Sequence, residues 1–130
     1  MARQEIIHTD HAPKAVGPYS QAIRVGTFVF TAGQIAINPV TNTFMDGDIR
    51  QQAHQVLNNL SAVLNEAGSS MDQVVKTTVF LSDMNNYAAL NEVYSQFFSA
   101  AKPARSTVAV AKLPLGALVE IECVALVTSI

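Results

Sequence analysis

The sequence predicts an α+β fold in which two helices cover one face of a mixed β-sheet. Six segments have the alternating or continuous apolar pattern of strands, and two place apolar residues at spacings of three and four. Their order along the chain is β-β-β-α-β-α-β-β. Two amphipathic helices need an apolar sheet face to cover, and no linker or repeat divides the chain. We therefore expect residues 1–130 to form a single domain.

The N-terminal third is predicted to be β. Residues 4–8 form a short strand candidate, and a loop containing proline and glycine follows over 9–18. Residues 22–25 and 28–32 flank Gly26-Thr27, a two-residue connection that suits a tight hairpin.

The first helix is the clearest element. Asp48 can cap its start, and Gly68 can take the left-handed position after its end. The residues expected on its buried face are Ile49, Ala53, Val56, Leu57, Leu60, Val63, Leu64 and Ala67.

The second half repeats the strand and helix patterns. Residues 74–82 alternate as a strand, and a helix is predicted over 86–98 with Asn85 or Asn86 as its cap. Its inward stripe consists of Leu90, Val93, Tyr94 and Phe97. Strands over 106–111 and 118–128 follow, separated by a turn at 112–116.

Composition limits the function classes. Only 14% of the residues are charged, against about 25% in typical domains, so we expect partner subunits to cover apolar surface. The formal net charge is −2 without a basic stripe, which argues against nucleic acid as a ligand. No signal peptide or membrane span is evident, and the single cysteine, Cys123, fits a buried position in a cytoplasmic protein.

Arg105 is the first candidate site residue. It precedes the apolar strand 106–111 in the segment Pro103-Ala104-Arg105-Ser106. A guanidinium is costly to desolvate and keeps its charge at working pH, so it needs an anionic partner. That partner is either Glu120 or Glu122 in the last strand, or the carboxylate of a small ligand.

The last strand places two carboxylates on one face. Its period of two puts Glu120 and Glu122 together with Val124 and Leu126. A solvated edge would carry more polar residues, so at least one glutamate is expected to have a cationic or water partner in a partly enclosed setting.

Three other segments were weighed as sites. Tyr19 follows the Gly17-Pro18 bend and could contact a ligand, although such a residue is more often packed in its loop. Gly33 ends a strand where backbone can approach another group closely. His8 and His11 form a weak metal signal without further ligands nearby, and His54 is expected on the surface of the first helix. No nucleotide-binding or catalytic-triad motif occurs, so no cofactor is expected.

Five short motifs run along nearly the whole chain. They are GPYSQA at 17–22, AGQ at 32–34, KTTVFL at 76–81, PARS at 103–106 and EIE at 120–122. Each is weak alone, but together, in this order and spacing, they resemble the RidA (YjgF) family of enamine/imine deaminases.

The resemblance implies a homotrimer of a chorismate-mutase-like fold, with sheets lining a central barrel, helices outside and three sites in the clefts between subunits. It implies the activity of a 2-iminobutanoate/2-iminopropanoate deaminase, which hydrolyses 2-aminoacrylate and related 2-imino acids to 2-keto acids and ammonia without metal or cofactor. Arg105 is then expected to clamp the substrate carboxylate, and Glu120, or backbone carbonyls beside it, to hold and partly deprotonate the attacking water. The further substrate contacts implied are Tyr19 from the adjacent subunit, Gly33, Asn91 and Thr107.

Two positions depart from the best-known members, because Ala32 replaces a serine and Thr107 replaces a frequent cysteine. These changes bear on rate and substrate preference rather than on fold. Two alternatives stay open. The protein could be a trimer that binds 2-keto acids in the same clefts without turnover, or Arg105 and Glu120 could form an ion pair between subunits that only fixes how the subunits align. RNA cleavage, attached to some relatives, is disfavoured by the acidic balance.

Overall fold

The computed structural model describes residues 3–128 and contains a six-stranded sheet with two helices on one face. The strands are β1 (Gln4–Ile7), β2 (Ala22–Val25), β3 (Phe28–Thr31), β4 (Ile37–Asn38), β5 (Thr43–Phe44), β6 (Val74–Leu81), β7 (Ala104–Ala109) and β8 (Val119–Leu126), and the helices are α1 (Ile49–Glu66) and α2 (Tyr87–Phe97). The sheet order is β1-β2-β3-β8-β6-β7, with β6 and β7 parallel and the other neighbours antiparallel. The mixed sheet and the order of its elements are as predicted.

A small hairpin was missed by the sequence analysis. Strands β4 and β5 pair through only two residues each, which is too short for an alternating pattern to be visible. Asn42 closes the hairpin with a φ of 58°, a conformation that asparagine tolerates.

Helix α1 forms as predicted. The Asp48 side chain accepts a hydrogen bond from the Gln51 N–H, the Gln51 side chain accepts one from the Asp48 N–H, and Gly68 has a φ of 83°. Its predicted apolar face is buried throughout and packs against β8 and α2. This packing places the core between the helices and the sheet.

Helix α2 begins differently from the prediction. Asn86 occupies the capping position but its side chain makes no capping hydrogen bond. Asp83 instead accepts from the Asn85 N–H and closes a 3₁₀ turn before the helix. Asp and Asn are both good caps, so the pattern alone could not distinguish them. Leu90, Val93 and Tyr94 are buried as expected.

Strand β6 contains a bulge that the alternation did not predict. The register of β6 against β8 shifts between Val74 and Lys76, so Val74 is buried and Val75 is exposed. From Thr77 onward the predicted alternation holds, with Thr77, Val79 and Leu81 facing the helices.

The sheet face away from the helices is open in the single chain. It exposes Phe28 at 42% and Phe30 at 46%, with Leu126 on the neighbouring strand and Val108 on the edge strand β7. Natural monomers rarely leave contiguous large apolar side chains in solvent. The bare face expected from the charge-poor composition is therefore present. No helix among residues 3–128 is both long and apolar enough to cross a bilayer.

Candidate functional site

Arg105 is held in position by neutral groups of helix α2. Its Nη1 donates to Asn91 Oδ1 at 2.8 Å, and its Nη2 donates to the Tyr87 hydroxyl at 3.0 Å. The guanidinium carbon lies 4.7 Å from the centre of the Tyr94 ring, a cation–π distance. Tyr94 is in turn fixed by a 2.7 Å hydrogen bond with Thr77 Oγ1. These contacts orient the fork without neutralising its charge.

Neither glutamate of the last strand reaches Arg105 in the same chain. Arg105 pairs with Thr77, which faces the helices, whereas Glu120 pairs with Phe80 on the opposite face. Glu122 shares the face of Glu120 through its pairing with Thr78. Over the described span, Arg105 forms no ion pair and neither glutamate has a cationic partner. The internal pairing considered from sequence is therefore wrong within one chain.

The two sheet faces open into two separate cavities. The cavity at Arg105 has a volume of about 300 Å³ and is lined by Asn91, Tyr94, Ser95, Phe98, Lys102 and Pro103. The cavity at Glu120 has a volume of about 320 Å³, and Tyr19, Gly33 and Gln34 are among its lining residues. The predicted site residues thus fall into two groups in one chain: Arg105 with Asn91, and Glu120 with Tyr19 and Gly33.

Gly33 allows the Glu120 carboxylate to lie directly against the backbone. A Cβ at position 33 would stand 2.8 Å from Glu120 Cδ and 2.9 Å from Cγ, distances that real Cβ atoms do not reach. The close approach expected at this glycine is confirmed, and the group that approaches is a carboxylate.

The Glu120 carboxyl binds a proton more readily than an exposed carboxyl does. Burial raises the pKa of Glu120 above its ordinary value, and the like charge of Glu122 raises it further. A carboxylate with a raised pKa is a stronger base than an exposed one and takes a proton from water more readily.

Three buried amide side chains fix segments of backbone, and two of them, Gln21 and Asn59, bond to residues in the walls around Glu120. Gln21 donates to the carbonyls of Thr9 and Pro13 and accepts from the Thr9 N–H, which ties down the loop preceding Tyr19. On α1, Asn59 donates to the carbonyls of Ile35 and Ile37, and Gln52 bridges the Gly47 carbonyl and the Leu118 N–H. Because these residues are almost fully buried, each bond replaces water that the groups cannot reach.

The remaining candidates are placed as follows. Thr107 lies two residues beyond Arg105 on the same face of β7, and its buried Oγ1 has no hydrogen-bond partner within residues 3–128. Cys123 is buried as predicted, and burial raises the pKa of its thiol to about 11, so it is not a thiolate at neutral pH.

The three histidine candidates belong to neither cavity. His8 contacts Asp10, and His54 is exposed on α1 as expected. In the described part of the chain, no three His, Cys, Asp or Glu side chains stand close enough together to hold a metal ion.

Sequence reasoning missed the two tyrosines that contact Arg105. Tyr94 was assigned only to the apolar stripe of the second helix, and Tyr87 was not singled out. Their spacing carried the signal, because Tyr87, Asn91 and Tyr94 recur at intervals of four and three and so share one helical face. Two tyrosines on either side of an asparagine on one helix face could have been interpreted as a binding site for a cationic side chain.

Comparisons with known proteins identify the family. The sequence model of the family described as Endoribonuclease L-PSP matches residues 9–127. A RutC family protein of Synechocystis is 58% identical over 123 residues, which cover 93% of this chain and 95% of that protein. The 2-iminobutanoate/2-iminopropanoate deaminase of Dermatophagoides farinae is 44% identical and aligns over 98% of this chain and 99% of its own. The crystal structure of YyfA of Yersinia pestis, from the Rid protein family, matches with a TM-score of 0.94 at 48% identity, covering 96% of this chain and 100% of that one.

The order of the motifs, the mixed sheet with its two helices and these extensive similarities lead to one assignment: this chain belongs to the RidA (YjgF) family.

Proposed function

We propose that this protein hydrolyses 2-imino acids and their enamine tautomers, such as 2-aminoacrylate, to 2-keto acids and ammonia. The observation that carries the proposal is the state of Arg105, which neutral partners orient and which no carboxylate of residues 3–128 neutralises. A planar guanidinium with one edge held by Asn91 and Tyr87 is suited to bidentate capture of a small carboxylate.

The active unit in this proposal is a homotrimer with sites between subunits. Support comes from the separation of Arg105 and Glu120 on opposite faces of one sheet, which prevents a single small substrate from touching both in one chain. A neighbouring subunit that brings its Glu120 cavity to the Arg105 cavity completes the site. The open apolar face of the sheet supplies a surface for such assembly.

The proposed chemistry needs only positioning and a base. Arg105 binds the substrate carboxylate, and Glu120 of the neighbouring subunit accepts a proton from a water molecule. The water oxygen bonds to the iminium carbon while the electron pair of the C=N double bond moves to nitrogen, which gives a carbinolamine. Glu120 then returns its proton to the nitrogen, the carbon–nitrogen bond breaks as the carbonyl forms, and the hydroxyl proton passes to the released ammonia. The products are a 2-keto acid and ammonium. Because the iminium carbon is already electrophilic, proximity and modest base assistance suffice.

The test measures keto-acid and ammonia release from freshly generated 2-aminoacrylate. The wild type is expected to accelerate release, and Arg105→Ala is expected to abolish the acceleration. Arg105→Lys keeps the charge but loses the fork, so we expect kcat/KM to fall about 10- to 100-fold. The control is Arg50→Lys, which alters an exposed ion pair with Glu92 outside both cavities.

A wild type that leaves the rate unchanged contradicts the proposal. Calorimetric binding of 2-keto acids without hydrolysis would then favour a binding protein that acts without turnover. RNA cleavage that persists in Arg105→Ala and disappears on further purification would show that a nuclease contaminates the sample.

A further inference from the structure

Leu115 occupies an unfavourable position in the turn between β7 and β8. Its φ is 58° and its ψ is 21°, and Gly116 follows with a φ of 69°. The Ala117 N–H donates to the Pro114 carbonyl at 3.0 Å, which closes a turn whose two central residues both have positive φ, as in a type I′ turn. Glycine, asparagine and aspartate adopt this conformation readily, whereas leucine adopts it with strain.

The Leu115 side chain is also exposed, with 67% of its surface accessible in the single chain. It lies at the rim of the cavity that contains Glu120, where Val16, Ile35 and Ile37 form further apolar lining. A residue that is both strained and exposed contributes little to folding. Departures of this kind from local preference are concentrated at functional sites.

The cavity is larger than the smallest imino acid requires. Its volume of about 320 Å³ equals that of roughly ten water molecules at about 30 Å³ each. The side chain of 2-iminopropanoate is a single methyl group. The carbon that water attacks bears both the carboxylate and the side chain of the substrate. With the carboxylate on Arg105 and the water on Glu120, that side chain can extend along the apolar lining.

We infer that Leu115 is a specificity-determining residue that contacts the side chain of the substrate and favours 2-imino acids with bulky aliphatic side chains over 2-iminopropanoate. The inference rests on the proposed hydrolysis and adds the substrate class. Leu115 provides apolar contact that a methyl side chain is too short to use, and the hydrogen bond from the Ala117 N–H to the Pro114 carbonyl holds the turn at the rim of the cavity.

The test compares two imines made in place by an amino-acid oxidase, one from leucine and one from alanine. The wild type is expected to have the higher kcat/KM for the leucine imine. In Leu115→Gly, kcat/KM for the leucine imine is expected to fall about fivefold, mainly through KM, with less than about a twofold change for the alanine imine. Leu115→Met keeps the apolar contact and is expected to retain the preference.

A thermal unfolding measurement separates this role from a structural one. Glycine adopts positive φ without strain, so Leu115→Gly is expected to keep or raise the unfolding midpoint while it loses the preference. The matched control is Val40→Gly in the β4–β5 turn, because Val40 is 91% exposed and does not line the cavity. This variant is expected to leave the ratio of the two kcat/KM values unchanged.

Three results would overturn the inference. If the ratio of the two kcat/KM values is unchanged in Leu115→Gly, or changes equally in Val40→Gly, Leu115 does not contact the substrate side chain. A change in sedimentation mass in Leu115→Gly assigns the residue to a subunit contact instead. If the wild type hydrolyses the alanine imine but one of these three results is obtained, only the inferred substrate class is wrong. If the wild type hydrolyses neither imine, the proposed function is wrong as well.

Discussion

At the scale of single residues, the site depends on how two charges are kept available. Arg105 is oriented by an amide, a hydroxyl and an aromatic face, none of which cancels its charge. Glu120 lies against Gly33 in a partly apolar cavity beside the like charge of Glu122. Each group therefore retains the property that the proposed hydrolysis needs, a cation that is unpaired within residues 3–128 on one face of the sheet and a more basic carboxylate on the other.

Burial of Glu120 and, to a smaller extent, the charge of Glu122 are predicted to set the acid limb of the pH profile. Glu120 must be deprotonated to act as a base, so activity should rise as pH increases through its raised pKa. Glu122→Gln removes the like charge and lowers that pKa, so the acid limb of kcat/KM should move to lower pH. Glu92→Gln, on exposed α2 surface, is the control and should leave the limb in place. If the acid limb of kcat/KM lies at the same pH in Glu122→Gln as in the wild type, this account is contradicted.

Gly33 and Gly26 are predicted to respond oppositely to alanine. A Cβ at Gly33 displaces the Glu120 carboxylate, so Gly33→Ala should lower kcat at least about tenfold with little loss of stability. Gly26 has a φ of 60° and open space around it, so Gly26→Ala should cost about 1 kcal/mol of stability and leave activity intact. Urea unfolding and steady-state kinetics on both variants test the pair. Full activity in Gly33→Ala would show that the close approach is unimportant.

At the scale of elements, helix α1 stabilises the core and also supports the Glu120 cavity. Its apolar stripe packs on the sheet, while Asn59 donates to the carbonyls of Ile35 and Ile37 in the cavity lining and Gln52 accepts from the Leu118 N–H, two residues before Glu120. The two amides are seven residues apart, which places them on one face of the helix. The helix therefore couples the position of the cavity walls to the hydrophobic core.

Replacing Gln52 is predicted to be costly. Gln52→Leu leaves the Gly47 carbonyl and the Leu118 N–H without their buried partner, so the free energy of unfolding should fall by about 2 to 4 kcal/mol. Asn58→Leu, at an exposed position of the same helix, should change it by less than about 0.5 kcal/mol. Equal losses in the two variants would refute a specific role for the Gln52 bridge.

Most elements could be predicted from the sequence because their patterns are long. The eight residues of β8 and the eighteen of α1 each give several repeats of one period. The β4–β5 hairpin has two residues per strand and gives no period, and the bulge at Val75 depends on pairing with a distant strand. The buried amides also escaped prediction, because Asn59 and Gln52 bond to Ile35, Ile37 and Leu118, which are distant in the sequence.

At the scale of the whole molecule, the site could be predicted only as a set of residues. Sequence identified Arg105 and Glu120 but not the faces they occupy, since that depends on the registers of β7 and β8 with β6. The register places the two charges on opposite sides of the sheet. The proposed site contains both charges and draws them from different chains, and the open apolar face offers a surface for that assembly.

Mixing two inactive variants tests this central claim most directly. Arg105→Ala and Glu120→Gln are purified separately, combined in equal amounts, unfolded and refolded together, and assayed with 2-aminoacrylate. In a trimer with sites between subunits, random mixing restores about one quarter of the wild-type sites, because every mixed trimer has one interface with both residues intact. The account predicts recovery of about that fraction of activity. A mixture that stays as inactive as its parents, although sedimentation shows mixed trimers, would contradict it.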